Sequence, residues 1–223
     1  MAGIRRTTNL RGLSPFARAL LFATGLCFAG FAQVRLTLEQ AGSRNGPDFT
    51  PVYEGKEVIV RGQISAKPLW ALDVYYLAIQ DEAEYGLLLE GAAAQFNGVE
   101  TGDWIEVSGT VGRRSGMPVL LPREIRPSGR GTPPAPKELR LEQLNSFRYL
   151  GVLVVAQGEV STAGENSGGD VLSLGESTAK IDVFLPKLRR NGRAGLQGYR
   201  PGDVVRATGI STQYCTLPPY DRS

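Results

Sequence analysis

Histidine is absent from all 223 residues, and this removes most of the nucleophile and metal chemistry open to a small protein. A Ser-His-Asp or Cys-His system cannot be assembled within the chain. Imidazole zinc sites are excluded, and the two distant cysteines, Cys27 and Cys215, cannot make a thiolate site alone. No Gly-x-x-x-x-Gly-Lys-Ser/Thr run occurs, and no Gly-x-Gly-x-x-Gly pattern follows a strand. The remaining polar residues suit binding better than bond making. Asp103 and Asp203 each follow a glycine, where turn formation accounts for them. Lys187, Arg189, Arg190, Arg193 and Arg200 gather in one short stretch, either a solvated loop or a contact for an anion or lipid headgroup. The chain is therefore expected to be no enzyme, with no cofactor and no metal.

The elements that would carry such residues read as strands. There are 28 glycines and 14 prolines, punctuation that suits an all-β chain with many turns. After a short helix near Leu36–Ala41, strand-like alternation runs through Glu57–Ser65. A hairpin follows over Tyr75–Ala83 and Tyr85–Gly91. An Ala-rich segment to Asn97 and strands over Gly102–Gly112 and Pro118–Pro127 complete a set of five. The second half repeats the order with Gly151–Ser161, Asp170–Ser177, Ala179–Pro186 and Pro201–Ser211. Gly62 and Gly158 lie 96 residues apart, and both Gly102–Gly202 and Gly109–Gly209 are separated by 100. Between the copies, Pro127–Glu138 has the Pro/Gly density of a linker. The same offset places the second copy's last strand near 219–226, so that strand is degenerate or truncated.

Three strands, a short helix and two strands, with a glycine inside the first and fourth, resemble the OB-fold family. Gly62, Gly109, Gly158 and Gly209 would sit at bends that a small closed barrel imposes. The expected architecture is all-β with short helices: two tandem five-stranded OB-type barrels after an N-terminal apolar helix. The divisions are 1–32 leader or anchor, 33–54 connector, 55–127 first barrel, 128–138 linker and 139–223 second barrel. The resemblance implies a ligand face on strands two and three and the adjoining loops. In the first copy this points to Trp70, Tyr75, Tyr76, Arg113 and Arg114, with Trp104 in the core. Aromatics beside arginines are what stacking on bases requires. The arrangement, including Leu38–Val58, also resembles the extracytoplasmic front end of acidobacterial two-component sensor histidine kinases. That likeness implies an input region that senses a small molecule, a glycan or another protein.

Arg5, Arg6, Arg11 and Arg18 precede an apolar run from Ala19 to Phe31, with no acidic residue before Gln33. About thirteen residues is short of the roughly 20 that span a bilayer, and a charged start with Gly30 and Ala32 at its end fits a signal peptide or membrane anchor. The expected location is periplasmic, free or anchored facing the periplasm. The leader also supplies the basicity: the whole chain is +3, but the rest is −1. The first copy has seven basic and ten acidic residues, and the second has ten and eight. Backbone-tracking nucleic-acid binding needs a basic groove, so a nucleic-acid-binding OB protein is the alternative rather than the favoured reading. Residues 1–40 fused to a reporter active only outside the cytoplasm are expected to give signal, and cytoplasmic retention of the fusion would contradict the leader.

Overall fold

The computed structural model describes residues 33–71, 73–187, 195–196 and 198–221; the apolar leader lies outside them. The first half comprises β1 (Val34–Arg35), α1 (Leu38–Ala41), β2 (Arg44–Asn45), β3 (Thr50–Pro51), β4 (Glu57–Ile64), β5 (Leu69–Ala71), β6 (Val74–Gln80), β7 (Gly86–Gly91), a 3-10 turn (Ala93–Phe96), β8 (Asp103–Arg114) and β9 (Met117–Arg130). The second half comprises β10 (Lys137–Glu138), α2 (Leu141–Leu144), a 3-10 turn (Phe147–Tyr149), β11 (Leu153–Glu165), β12 (Gly169–Glu176), β13 (Ala179–Pro186) and β14 (Val204–Ile210). The described residues are all-β with two short helices, as the glycine punctuation and alternating segments predict.

Five strands of the first sheet form a closed circuit. β4 pairs antiparallel with β8, β8 with β9, and β6 with β7. β7 and β9 run parallel through Leu88–Val119 and Leu89–Leu120. The end of β4 then turns from β8 to β6, pairing Gln63 with Gln80 and Ile64 with Ile79. Gly62 sits just before that change of partner. A Cβ there would lie 3.1 Å from the Ile79 Cβ and 3.2 Å from the Gln80 carbonyl oxygen, so the close crossing needs a residue without one. Alternate residues point inward, and Val58, Val60, Leu77, Ile79, Leu89, Ile105, Val107 and Leu120 fill the interior without solvent exposure. Leu38 and Ala41 of α1 join the same core.

The second half repeats the start of this plan. β10 runs parallel to β11 as β1 does to β4, and Gly158 stands where Gly62 does, its Cβ position 2.9 Å from Leu141 Cδ1. The repeat also reaches upstream of the strands. α1 carries Leu-Glu-Gln and α2 carries Leu-Glu-Gln again. In each, the glutamine Oε1 accepts from the backbone N–H three residues earlier, at Thr37 or Arg140, at 3.0 Å. Residues 33–41, placed in a connector by strand pattern alone, have a counterpart in the second copy.

The second sheet does not close. β11 pairs with β12 on one side and β14 on the other, and β12 pairs with β13. Among the described residues no strand joins β13 to β14. The cause is the path after Ile210: the Cys215 N–H donates to the Ser115 carbonyl at 2.8 Å and the Tyr220 N–H to the Asp48 carbonyl at 3.0 Å. The segment that would return as a hairpin is bonded to the first half instead. Gly209 accordingly differs from its three counterparts, with nothing within 4 Å of its Cβ position.

The halves meet backbone to backbone. A Cβ on Gly86 would lie 2.3 Å from the Gly151 carbonyl carbon, and one on Gly151 2.5 Å from the Leu87 nitrogen. Around that contact, Leu150 packs with Ala78, Leu88, Met117 and Val119, joined by Phe147, Ile210 and Tyr76. The Leu153 N–H donates to Gln80 Oε1 at 2.7 Å. Gly86→Ala is expected to lower stability by roughly 1–3 kcal/mol through overpacking. Urea denaturation of variant and wild type measures this, and equal stabilities would contradict the contact.

Candidate ligand cleft between the two sheets

A cleft of about 490 Å³ opens where the halves meet. Its floor is apolar, with Leu88, Met117 and Leu150 among the lining residues. Two arginines on opposite halves, with Glu39 of α1, give it charge. Arg44 belongs to β2, and Arg148 to the short turn before β11.

Arg44 is held by uncharged groups. Nη1 donates to the Gly116 carbonyl at 2.9 Å and Nη2 to Gln213 Oε1 at 2.6 Å. Its guanidinium lies 4.2 Å from the centre of the Phe147 ring, a favourable cation–π position. Nε is buried with no hydrogen-bond partner. Burial lowers the Arg44 pKa to about 10, because taking the cation out of water disfavours it; it remains protonated at neutral pH. Arg148 donates from Nη1 to the Glu84 carbonyl at 2.7 Å and from Nη2 to the Ala83 carbonyl at 2.8 Å. It stacks 3.7 Å over the Tyr85 ring. The Tyr85 hydroxyl donates to Glu39 Oε1 at 2.6 Å, and that bond raises the phenol's pKa. Phe49, 37% exposed, meets Phe147 at 5.5 Å between ring centres. Among the described residues, neither cleft arginine has a carboxylate within ion-pair distance.

The candidates drawn from the OB resemblance lie apart from this cleft's charges. Trp70 pairs with Tyr75 across β5 and β6, and Tyr75 packs against the first core. Tyr76 points to the opposite face, half-buried under the second half. Arg114 grips the buried Glu90 through both Nε and Nη2. Arg113 bonds Glu54 at 3.2 Å and lies 4.4 Å over Tyr220. The outer face of β6, β7 and β9 is thus covered around Ala78, Leu88 and Val119 by residues of the same chain. Trp104 is half-buried beneath Arg61, 4.3 Å from its ring centre. Lys187 pairs with Glu165 at 2.5 Å, while Arg189, Arg190 and Arg193 lie outside the described residues. Asp103 and Asp203 act alike: Oδ2 accepts from the backbone N–H of residue 100 or 200 at 2.8 Å. These are turn contacts.

Arg44, Phe49, Phe147 and Arg148 escape a reading by strand pattern because they fall outside the long strands, Arg44 on the two-residue β2, and the two pairs are about 100 residues apart. One signal was available. Where the first copy has Pro51-Val52-Tyr53-Glu54-Gly55, the second has Phe147-Arg148-Tyr149-Leu150-Gly151, exchanging two small apolar residues and an acid for an aromatic, a cation and a leucine.

No family model matches the sequence, and no curated protein matches it. Among solved structures, the chain is similar to the OBody AM1L10 bound to hen egg-white lysozyme, with 20% identity over 36% of this chain and 87% of that one, at a TM-score of 0.32. It is also similar to the hypothetical protein ygiW from E. coli, with 20% identity over 42% and 88%, at 0.31. A murine DNA binding protein bound with double-stranded DNA matches at 12% identity over 68% and 84%, at 0.39.

Tyr76 offers a direct test of the covered face. Its hydroxyl is buried near Glu90 and Arg114 but makes no hydrogen bond of acceptable geometry. Burial first, then the Glu90 charge, pushes its pKa up from 10 to about 12. A phenol raised in the fold contributes stability that is complete below the unfolded value of 10 and lost as pH rises to 12. Tyr76→Phe is expected to be at least as stable as wild type at pH 7, since an unpaired buried hydroxyl is removed. Its advantage should grow between pH 10 and 12. Urea titrations at both ends of that range measure the difference, and a pH-independent gap would contradict the buried phenol.

Proposed function

We propose that the chain is a non-catalytic binding module that takes a small anionic ligand with an apolar or aromatic body in the cleft between its two sheets. The carrying observation is the pair Arg44 and Arg148, two guanidiniums without a carboxylate partner beside exposed Phe49. A cleft of about 490 Å³ falls within the range of small-molecule sites, which combine an apolar lining with a few convergent polar groups. A guanidinium has five N–H donors, and Arg148 spends one from each terminal nitrogen on carbonyls. The others are available to an anion, and the ligand's body would lie against Phe49 and Leu88.

The first sheet is read as an OB-type barrel, because its strands close in the order first, second, third, fifth, fourth, with third and fifth parallel. The second sheet is read as its open duplicate. Export through the leader places the cleft outside the cytoplasm, where it would serve as a sensing input, including that of a two-component sensor. The nucleic-acid alternative has less support. The face that OB barrels use is covered here by the second half, and the first copy carries a charge of −3.

Calorimetric titration of the full chain with benzoate, hexanoate and their uncharged amides tests the reading. The carboxylates are expected to bind at least tenfold more tightly than the amides, in keeping with about 1.5–3 kcal/mol for a hydrogen bond to a charged group. Arg148→Gln should erase the preference. Silence toward the carboxylates, with submicromolar binding of a single-stranded oligonucleotide at physiological salt, would favour the nucleic-acid reading.

A further inference from the structure

Among the described residues, the outer edge of β14 lacks the neighbour that its counterpart has. At an offset of 100 residues β14 repeats part of β8, and β8 is paired along its length by β9. Ile105 and Val107 are fully buried in the closed circuit, whereas Val205 and Ala207 at the same positions are only half-buried. Gly109 is crowded by β9, its Cβ position 2.3 Å from the Leu121 carbonyl oxygen, whereas Gly209 has nothing within 4 Å. The second core is exposed and roomy where the first is covered by a fifth strand.

The charges along this edge are partly inverted between the copies. In the first, Arg35 of β1 pairs with Glu106 of β8 at 2.5 Å. In the second, Glu138 of β10 pairs with Arg206 of β14 at 3.3 Å. Arg35 and Glu138 are equivalent, since their ladder partners Ile59 and Val155 are 96 residues apart, as Gly62 and Gly158 are. Across the ladder from Glu106, β9 presents Arg126. Farther along, Arg130 of β9 pairs with Glu100 at 2.5 Å and Asp103 at 3.5 Å. The second copy keeps the aspartate as Asp203 but replaces Glu100 with Arg200. A strand beside β14 would therefore meet Arg206 where β9 meets Glu106, and opposite charges are favoured across a ladder; at the position of Arg130, whose ladder partner is Asp103, it would still face an aspartate, Asp203.

We propose that this edge of β14 binds an extended segment of a separate protein chain, which adds antiparallel to it as the fifth strand. The segment is apolar where it faces Val205 and Ala207 and acidic at the position between them, facing Arg206. Strand addition gains main-chain hydrogen bonds, while side chains at alternate positions select the sequence. Residues 211–221 do not provide the strand, because Cys215 and Tyr220 tie that segment to the first half. A second copy is a poor complement. Its β9 is already paired and carries an arginine at that position, and edge-to-edge pairing of two β14 strands would bring Arg206 of both copies to one seam.

The test uses two fluorescein-labelled peptides with the sequence of residues 117–130, one unaltered and one with Arg126→Glu. Fluorescence anisotropy with the full chain is expected to show at least fivefold tighter binding of the acidic peptide, an advantage that narrows as salt is raised. Arg206→Glu should reverse the preference. Gly209→Val should weaken acidic-peptide binding at least tenfold without changing the melting temperature. Equal affinities, no binding of either peptide, or binding that survives Gly209→Val would overturn the proposal. So would a lowered melting temperature for that variant, or sedimentation showing a dimer that Gly209→Val dissociates, which would assign the edge to a second copy.

Discussion

Two glycines, Gly86 and Gly151, bring the backbones of the two halves into contact, and most of the molecule's usable surface follows from that approach. Neither position has room for a methyl group. With the backbones in contact, Leu150 reaches the patch formed by Ala78, Leu88 and Val119, and the Leu153 amide reaches the side chain of Gln80. Phe147, four residues before Gly151, arrives over Arg44, while Arg148 arrives over Tyr85. A separation larger by one methyl group would disturb all four at once, because protein interiors absorb extra volume poorly. The cleft is the gap left where this seam diverges toward Phe49.

The two sheets share the start of one plan, and a few residue differences make them unequal. Glu54, an exposed partner of Arg113, becomes Leu150, which is buried in the seam. Pro51 and Val52 become Phe147 and Arg148, which line the cleft. Backbone roles survive these exchanges: Gly55 and Gly151 both adopt a left-handed conformation, with φ of 77° and 79°. Their amides donate to the carbonyls of Val111 and Ser211, at 2.8 Å in each case. The copies thus retain their hydrogen-bond scaffold and differ in what they present to one another.

The retained part was legible in the sequence and the altered part was not. Alternation located the long strands, and the matched Gly-Asp turns revealed the repeat, because periodicity and turn chemistry are local properties. The circuit of the first sheet follows from the same strands in the same order. The seam has no such period. Tyr76 reads as a surface aromatic until Leu150, more than seventy residues away, is placed over it. Arg113 and Arg114 read as a loop pair open to a ligand until Tyr220 and Glu90 engage them. The second Leu-Glu-Gln was visible but unused, since a four-residue helix leaves almost no periodic trace.

Arg44 shows what the seam costs. Desolvating a guanidinium is unfavourable by several kcal/mol unless partners replace the lost water, and here the replacements are carbonyls, an amide and an aromatic face rather than a carboxylate. Hydrogen bonds to a charged group contribute about 1.5–3 kcal/mol each, and the Phe147 ring adds about 1–2 kcal/mol at a partly desolvated site. Those gains offset the burial in part, but Nε is left without a partner and the pKa is depressed, both signs that the cation is under-compensated. A neutral side chain of similar length could fill the same space without that penalty. On the proposed reading, an anion entering the cleft would supply the compensation that the fold withholds, so the residue that weakens the empty protein would strengthen the occupied one.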